Sequence, residues 1–404
     1  PSSSFGGDVS FTSPRLLLNG CTYNLTATLE KTGALDDAGT GGNIFQQTTT
    51  ITNTGSGYLM TGNGNRDQFN AAATFNNNGS YRIYFAHNHP GQTTTFASDL
   101  TLNSNKSGGA DQWSYLIVEN GTSAISVGGN LAINCAGTLR SDHRLLNGTA
   151  SSISIAGTTN VAITNSHVST LITLGENGTS TYNGNITVSN TGGAAGITFN
   201  TNAAASSTLN GSIAIGVGFT SGSLNLYRFN QVGAIATNLT LTTGAILRVG
   251  PSSEFDGDVN FTSPQIYLNG CTYQGVATIE KNGAVDNAGI GGNIFNGVTT
   301  ITNSGSGYLM SGNGNRDQFN AATTFNNNGS YRIYFAYNHP GQTTTFASDL
   351  ALNSNKSGGA DQWSYLIAEN GTSAISVGGN LAVNCAGTLR SDHRLLNGTA
   401  SSIS

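Results

Sequence analysis

The stretch TFASDLTLNS at residues 95–104 carries the pattern that decides the fold, and a near-copy, TFASDLALNS, stands at 345–354. A large apolar residue, Phe96, is followed after three residues by two apolar residues, Leu100 and Leu102, with one residue between them. All three have the same parity, so in an extended chain they share one face. The pattern therefore predicts a β-strand with alternating faces and not a helical stripe.

The same spacing recurs along the whole chain. It reads Phe5, Val9, Phe11; Phe69, Ala73, Phe75; Val127, Leu131, Ile133; Tyr182, Ile186, Val188; Leu209, Ile213, Ile215; and Ile235, Leu239, Leu241. A weaker version near Gly157 has its first apolar position empty. The last residues of the motifs fall at positions 11, 29, 51, 75, 102, 133, 163, 188, 215, 241 and 261, which are 18 to 31 residues apart. We interpret each interval as one turn of a repeat.

A unit this short cannot bury its apolar face alone, but copies stacked on one another form a continuous core. The chain contains 55 Gly, and Val, Ile, Thr, Phe and Tyr fill the motifs, so helix is disfavoured and strands are favoured. The predicted fold is all-β, a right-handed parallel β-solenoid of about 16 turns with a variable cross-section. The alternative is a tandem array of antiparallel β-sandwiches, which also has short strands and frequent turns.

A second, longer repeat has a period of 250 residues. Residues 1–154 align with 251–404 at 130 identical positions; the first fifty pairs hold 33 of these and the remaining 104 hold 97. Residues 1–250 are interpreted as one complete long repeat of about ten turns. Residues 251–404 are interpreted as a partial second copy, continuous with the first, and the chain as a segment of a longer polypeptide. Since the copies match at surface and core positions alike, identity alone marks no functional residue.

The residues expected to form the structural core are the large apolar residues of the strongest motifs. They are Phe5, Phe11, Phe69, Phe75, Phe96, Leu100 and Leu102, with Phe255, Phe261, Phe319, Phe325, Phe346, Leu350 and Leu352 in the second copy. Five successive turns place Phe5, Tyr23, Phe45, Phe69 and Phe96 at one position. We expect these rings to stack and to help fix the register.

Composition argues against several classes of partner. Only 9% of residues are charged and the net charge is −5, without blocks of one sign, so nucleic acid is not an expected partner. No run of about 18 apolar residues exists, so no membrane span is expected. No motif for a cofactor is present, and none is expected.

Two motifs raise the question of metal binding. His87 and His89 in HNHPG (87–91) would share one face of a strand, but the other copy has Tyr337 in place of His87. The stretch TGNGNRDQF (61–69) is similar to the calcium turns of β-rolls, yet it occurs once per 250 residues. A turn is the preferred interpretation of each, and no metal site is predicted.

Catalytic groupings are equally weak. Ser141, Asp142 and His143 are adjacent in sequence, whereas triad partners normally come from distant parts of a chain. Asp36 and Asp37 form the closest pair of carboxylates, but Asn287 replaces the second of them in the other copy. No catalytic residue is predicted, and the chain is not expected to be an enzyme.

Two other features have structural interpretations. Cys21 and Cys135 lie about five turns, or roughly 24 Å, apart in the predicted solenoid, so free thiols are expected for them and for Cys271 and Cys385. Threonine runs such as QQTTTIT (46–52) raise the possibility of an ice-binding solenoid. Turns of unequal length are expected to disrupt the regular ranks that this function needs.

The phrases YNGNITVSN, LNGSIAI, FDGDVNF and TFASDLTLNS, with their Gly/Asn turns, resemble the β-strand-repeat regions of giant secreted surface proteins of gliding and predatory Bacteroidota. These proteins include gliding adhesins and grappling-hook filaments. The resemblance covers essentially the whole chain and lies in the style of the repeat. It implies type IX secretion, an extracellular location attached to the cell surface through other parts of the polypeptide, and a mechanical or adhesive role. No active-site residue is implied by it.

The predicted function is a structural repeat segment of a long extracellular filament or stalk for surface attachment, gliding or prey capture. Expected partners are further repeats of the same chain, identical chains in a filament bundle, and a cell-surface or glycan target. The alternative is an adhesive or carbohydrate-binding β-solenoid module, in which exposed aromatics such as Tyr81, Trp113 and Tyr115 contact sugars.

Overall fold

The fold is given by a computed structural model, which describes residues 3–106, 116–117, 123–356, 366–367, 373–387, 390, 392–396 and 401–404. The described residues form β-strands, turns and bends, without a helix. They belong to two compact units, Pro1–Gly222 and Ser223–Ser404.

In the first unit, each full turn of the chain contributes one strand to each of three sheets. The first sheet contains Ser4–Phe5, Thr22–Tyr23, Ile44–Phe45, Gln68–Phe69, Thr93–Phe96, Ala124–Val127, Ser152–Ile155, Thr179–Tyr182 and Ser206–Leu209. The second sheet contains Val9–Ser13, Ala27–Lys31, Thr49–Asn53, Ala73–Asn77, Leu100–Lys106, Leu131–Gly137, Thr159–Ile163, Ile186–Asn190 and Ile213–Phe219. The third contains Asp37–Ala38, Leu59–Met60, Ile83–Tyr84, Leu116–Ile117, His143–Arg144, Leu171–Thr173 and Gly196–Phe199.

The second unit has the same three-sheet turn. Its first sheet contains Phe229–Gln231, Ser253–Phe255, Cys271–Tyr273, Ile294–Phe295, Gln318–Phe319, Thr343–Phe346, Ala374–Val377 and Ser402–Ile403. Its second sheet contains Thr237–Thr240, Val259–Ser263, Ala277–Lys281, Thr299–Asn303, Thr323–Asn327, Leu350–Lys356 and Leu381–Gly387. Its third side consists of Ser223–Leu226, Ile246–Val249 and Gln265–Leu268 in one sheet, and of Asn287–Ala288, Leu309–Met310, Ile333–Tyr334 and Leu366–Ile367 in a separate four-stranded sheet.

The strands pair in parallel with equivalent strands of neighbouring turns, as the second sheet of each unit illustrates, although Gln265–Leu268 and Asn287–Ala288 belong to different sheets. The predicted parallel β-solenoid is therefore confirmed in both units, and the alternative of antiparallel sandwiches is wrong. The predicted boundary at residue 250 lies inside the second unit, where Thr237–Thr240 pairs directly with Val259–Ser263. The two copies of the long repeat thus meet without a break in the second sheet.

The register of the second sheet agrees with the predicted motif positions in most turns. Phe11, Leu29, Ile51, Phe75, Leu102 and Ile133 are successive partners, so these turns measure 18, 22, 24, 27 and 31 residues. In the next turn the partner of Ile133 is Val161 and not Ile163. The first sheet continues there with Ile155, where the motif had no apolar residue. A slip of two residues keeps every side chain on the same face, so alternation alone could not detect it.

A second correction concerns the turn before residue 250. The partner of Phe261 is Leu239 and not Leu241. In the first sheet Gln231 pairs with Phe255, where the motif placed Ile235, and Ile235 is exposed. Buried Gln231 satisfies its amide locally, since Nε2 donates to the Ile235 carbonyl at 2.6 Å and Oε1 accepts from Thr237 Oγ1 at 3.0 Å. Because Gln231 is polar, it does not match the apolar motif, and the sequence pattern could not identify its position in the first sheet.

The aromatic stack predicted for the first sheet is present. The rings of Phe5, Tyr23, Phe45, Phe69 and Phe96 stack in order, with centroids 5.2, 4.7, 4.7 and 4.7 Å apart. In the second copy Phe255, Tyr273, Phe295, Phe319 and Phe346 repeat the arrangement at 6.0, 4.7, 4.8 and 4.7 Å. The spacing matches the distance between neighbouring parallel strands, so one ring per turn fills the slot.

Twelve of the fourteen residues named as core are buried in the structure. They are Phe69, Phe75, Phe96, Leu100, Leu102, Phe255, Phe261, Phe319, Phe325, Phe346, Leu350 and Leu352. Phe5 is half-buried, and Phe11 is 40% exposed. The strand of Phe11 pairs with a neighbour on one side, whereas the strand of its counterpart, Phe261, has neighbours on both sides. Burial of this position therefore requires turns both above and below it.

Candidate functional surface on the third sheet

A cluster of tyrosines covers the outer face of the third sheet. Leu59 and Ile83 are paired and point into the core, so their neighbours Met60 and Tyr84, also paired, point outward. Met60 and Tyr84 are nevertheless only 7% exposed because other side chains, including Tyr58, pack over them. We call Tyr58, Tyr81, Arg82 and Tyr84, with Met60 beneath them, the tyrosine cluster.

Its internal geometry is specific. The Tyr58 ring meets Tyr84 edge-on at 5.5 Å and lies 6.3 Å from Tyr81. The guanidinium carbon of Arg82 lies 5.3 Å from the centre of the Tyr81 ring and 5.8 Å from that of Tyr84. One guanidinium N–H donates to the Tyr84 hydroxyl at 2.6 Å. Cation–π contact and hydrogen bonding therefore hold the arginine flat against the tyrosines.

The second copy repeats this arrangement. Tyr308 lies 5.4 Å from Tyr334 and 6.3 Å from Tyr331, and Arg332 donates to the Tyr334 hydroxyl at 2.6 Å. Tyr331 is 36% exposed, so its ring is accessible to solvent. Aromatic rings beside a fixed cation form a surface that can bind the apolar face of a ligand and hydrogen-bond its polar edge.

Sequence reasoning named Tyr81 of this cluster but missed the others. Trp113 and Tyr115, named with Tyr81, lie outside the described residues. The signal that could have found the cluster is the spacing YRIY at 81–84, together with Tyr58 one turn earlier. An alternating strand puts Tyr84 outward when Ile83 is inward.

The two histidines of HNHPG, for which a turn and not a metal site was predicted, have separate surroundings. The His87 ring packs against Tyr84 at 5.4 Å, and Tyr337 makes the same contact with Tyr334 at 5.4 Å in the second copy. His89 is fully buried; its Nδ1 lies 3.1 Å from the Gln92 carbonyl and its Nε2 lies 3.1 Å from Thr94 Oγ1. Burial lowers the pKa of His89, which favours the neutral ring. Asn88 has a φ of 48°, so strand alternation does not apply between the two.

Ser141, Asp142 and His143 do not form a catalytic arrangement in the described contacts. Asp142 accepts hydrogen bonds from Arg140 at 2.9 Å and from the Leu171 amide at 3.0 Å. His143 is buried, its Nε2 lies 3.1 Å from the Asn134 carbonyl, and burial lowers its pKa to about 4. The hydroxyl of Ser141 contacts neither of them through a hydrogen bond. Of these side chains, Asp142 connects its turn to the next one through the Leu171 amide.

The paired carboxylates also have structural roles. Asp37 is buried and accepts from Arg15 Nε at 3.0 Å and from the Leu16 amide at 2.6 Å, while Asp36 accepts from the Tyr58 amide at 3.0 Å. In the second copy Asn287 takes the position of Asp37, and its Oδ1 accepts from the Ile266 amide at 3.2 Å. The hydrogen bond to the backbone is kept without the charge.

In the stretch 61–69, the single carboxylate is buried and bonded to its neighbour in the previous turn. Asp67 Oδ1 accepts from the Asn43 amide N–H and from Asn43 Nδ2, both at 2.9 Å. Asp67 Oδ2 and Thr61 Oγ1 have no hydrogen-bond partner, and Asp317 Oδ2 and the Ser311 hydroxyl repeat this in the second copy. Burial raises the pKa of Asp67 to about 6. Within the described ranges, no group of three His, Cys, Asp or Glu could hold a metal ion.

The outer face of the second sheet carries polar ranks that extend over three or four successive turns and end at Ala132 and Ala162. Thr28, Thr50, Thr74 and Thr101 are register partners in four successive turns. Beside them a ladder of side-chain amides runs from Asn76 through Asn103 to Asn134, with hydrogen bonds of 2.8 and 2.9 Å. The expectation that unequal turns disrupt such ranks is wrong, because the extra residues lie outside the strands of this sheet.

All four cysteines are free thiols, as expected. Cys135 and Cys271 are buried, Cys21 is half-buried and Cys385 is exposed. Burial raises the pKa of Cys135 and of Cys271 well above the usual range, so both remain protonated.

The three-sheet turn, the register and the two copies define this chain as a parallel β-solenoid repeat protein. No protein-family model, no curated protein and no solved structure matches its sequence. Across the described part of the chain, no helix is long and apolar enough to cross a membrane.

Proposed function

We propose that this chain is a structural repeat segment of a long extracellular filament or stalk that serves surface attachment, gliding or prey capture. The observation that carries the proposal is the in-register parallel ladder of the second sheet, repeated in two near-identical copies. Each turn hydrogen-bonds to the next along its backbone, and the aromatic stack connects the same turns through their side chains. A solenoid built in this way gains length by adding repeats without any new interface.

The surface supports the same proposal. Threonine and asparagine ranks occupy part of the outer face of the second sheet, and 9% of all residues are charged. Interactions between exposed charges weaken as salt increases, whereas hydrogen bonds between amides in a ladder depend little on it. Such a surface suits a protein exposed to variable ionic strength outside the cell.

The test is to locate the parent protein on its native cells. Antibodies raised against this chain are applied to intact and to permeabilised cells, and the parent protein is imaged by electron microscopy. Labelling of intact cells together with thin filaments supports the proposal. Labelling only after permeabilisation, or globular particles without filaments, contradicts it.

A second candidate function, carbohydrate binding, is favoured by the tyrosine cluster. Its rings and guanidinium are outside the core, and the second copy keeps their geometry. The substitution of His87 by Tyr337 preserves an aromatic contact at the edge of the cluster. A sugar ring would pack its apolar face on Tyr81 or Tyr331 and hydrogen-bond at its rim.

A glycan-array screen tests this candidate. The wild-type chain is compared with the double variant Tyr81→Ala/Tyr331→Ala and with Tyr227→Ala, a half-buried tyrosine outside the cluster. Binding that is lost in the double variant and kept in the control supports the candidate. Absence of wild-type binding, or equal loss in both variants, contradicts it.

A further inference from the structure

A rank of polar side chains lies inside the core at the carboxyl ends of the second-sheet strands. Ser13, Lys31, Asn53, Asn77 and Ser104 are register partners in successive turns. Lys31, Asn53 and Asn77 are each 0% exposed. A fully buried lysine beside a fully buried asparagine on the neighbouring strand is unusual, because burying an ammonium group without a paired charge is costly.

The contacts of Lys31 and Asn53 converge on one oxygen atom. Lys31 Nζ donates to the Gly33 carbonyl at 2.6 Å and to the Gly57 carbonyl at 3.3 Å, and Asn53 Nδ2 donates to the same Gly57 carbonyl at 3.1 Å. The amine of one side chain and the amide of the other are thus neighbours around a shared acceptor. The Gly55 N–H donates to Asn53 Oδ1 at 3.2 Å.

The second copy repeats the contacts of the lysine amine and of the asparagine amide nitrogen, whereas Asn303 Oδ1 has no hydrogen-bond partner. Lys281 Nζ donates to the Gly283 carbonyl at 2.5 Å and to the Gly307 carbonyl at 3.1 Å, and Asn303 Nδ2 donates to the Gly307 carbonyl at 3.0 Å. Lys281 and Asn303 are 0% exposed and are register partners. The arrangement is retained although 17 of the first fifty aligned positions differ between the copies.

In neither copy does the described structure pair the lysine with a carboxylate in a salt bridge. Burial lowers the pKa of both lysines, that of Lys281 to about 8, while nearby Asp37 and Asp286 act in the opposite direction. A lysine with a lowered pKa has a larger neutral, nucleophilic fraction. The environment therefore favours the form of the amine that attacks a carbonyl.

We propose that Lys31 and Asn53 react to form an intramolecular isopeptide bond between Nζ and Cγ, and that Lys281 and Asn303 form a second one. The neutral amine attacks Cγ. At Asn53 the developing negative charge on Oδ1 faces the Gly55 N–H, which serves as an oxyanion donor in the first copy. The Cγ–Nδ2 bond then breaks. One proton moves from Nζ to Nδ2 so that the leaving group is ammonia, and the proton that the lysine ammonium gave up before the attack leaves with it as ammonium. The reaction therefore needs no oxidant or cofactor.

The bond would remove the unpaired buried charge of the lysine. A buried positive charge becomes a neutral amide, whose N–H can keep a carbonyl acceptor such as that of Gly57. It also connects two adjacent turns covalently, 22 residues apart, and so constrains the unfolded chain as a disulfide does. The proposal does not depend on the extracellular role proposed above.

Intact-mass measurement of the purified wild-type chain tests the proposal directly. We expect a mass lower than the sequence mass by one ammonia for each bond, and therefore by two ammonia in this chain. Because succinimide formation at Asn-Gly pairs loses the same mass, a peptide map must also contain the Lys31 peptide joined to the Asn53 peptide. A chain with the full sequence mass, or with no joined peptide, overturns the proposal.

Two variants make the assignment specific. Lys31→Met/Lys281→Met removes both amines and keeps unbranched side chains, so the ammonia loss and both joined peptides should disappear. Asn77→Ser, which introduces at the next position the residue found at Ser104, should keep both bonds. Persistence of the ammonia loss in the lysine variant, or loss of the joined peptides in the Asn77 variant, would also overturn the assignment.

Discussion

The aromatic stack of the first sheet allows a quantitative test of what holds successive turns together. Phe45 is fully buried, and its ring stacks at 4.7 Å on Tyr23 below it and at 4.7 Å on Phe69 above it. In a later turn Leu209 occupies the same slot and is also fully buried, so the fold accepts an aliphatic residue there. The informative substitutions are Phe45→Leu and Phe45→Ala.

The two substitutions remove different quantities. Phe45→Leu keeps a large apolar side chain and removes two stacked contacts of about 0.5–1.5 kcal/mol each, so the free energy of unfolding should fall by about 1–3 kcal/mol. Phe45→Ala also removes most of the buried apolar surface and leaves a cavity, so the loss should be about 3–5 kcal/mol. Phe11→Ala makes the same chemical change at a position that is 40% exposed and should cost clearly less.

Urea unfolding followed by circular dichroism gives the three free energies. Hydrogen exchange of peptides from the first unit shows which turns are destabilised. Nearest-neighbour coupling predicts the largest loss of protection in the turns that contain Tyr23 and Phe69. The reasoning is refuted if Phe45→Leu matches the wild type, or if Phe11→Ala costs as much as Phe45→Ala.

Three further predictions concern other parts of the core. Burial raises the carboxyl pKa of Asp67 and of Asp317 from 3.8 to about 6. Between these two pH values the folded state binds more protons than the unfolded state, so the stability of the fold falls as pH rises from about 4 to about 6. Replacing both residues with Asn should remove up to about 3 kcal/mol per site of the pH-dependent loss of stability. The free energy of unfolding in urea is measured below and above this pH window. An unchanged pH profile would contradict the assignment. A Cβ at Gly55 would lie 2.1 Å from a carbonyl oxygen of the neighbouring turn, so Gly55→Ala should lower the melting temperature. Gly7 has open space around it, so the control variant Gly7→Ala should not. Equal melting temperatures of the two variants would exclude the clash. The thiol of Cys135 should react with a thiol reagent only on unfolding, and fast labelling of the folded chain would contradict its burial.

Alternation and repeat length predicted the fold because both follow from burial. Inward positions of a parallel strand are mostly apolar, and equivalent positions in the next turn must match them. The sequence pattern therefore identified Phe69, Phe75 and Phe96 as core residues. The register failed where a slot is filled by an atypical residue, as at Gln231, because a slip of two residues preserves the pattern. Alternation also failed around Asn88, whose positive φ interrupts the extended chain.

The candidate sites were harder to predict for a different reason. Tyr58 and Tyr84 come together because they occupy neighbouring turns, and the distance between turns along the sequence changes from one turn to the next. Lys31 and Asn53 are neighbours for the same reason, and a lysine at a strand end is ordinarily interpreted as solvent-exposed. Once the register is known, both groupings follow from it.

The differences between the two copies indicate which property of each position is constrained. The charged Asp37 is replaced by Asn287, yet the hydrogen bond from a backbone N–H of the preceding turn to its side-chain oxygen remains. Thr61 is replaced by Ser311 with its hydroxyl retained beside the buried carboxyl group. The first substitution discards charge and keeps the hydrogen bond, and the second keeps a hydroxyl group at its position. A binding or catalytic site that depended on the carboxylate of Asp37 would not tolerate this exchange, whereas a turn that must stack on its neighbours does, so these positions are constrained by the packing of the solenoid.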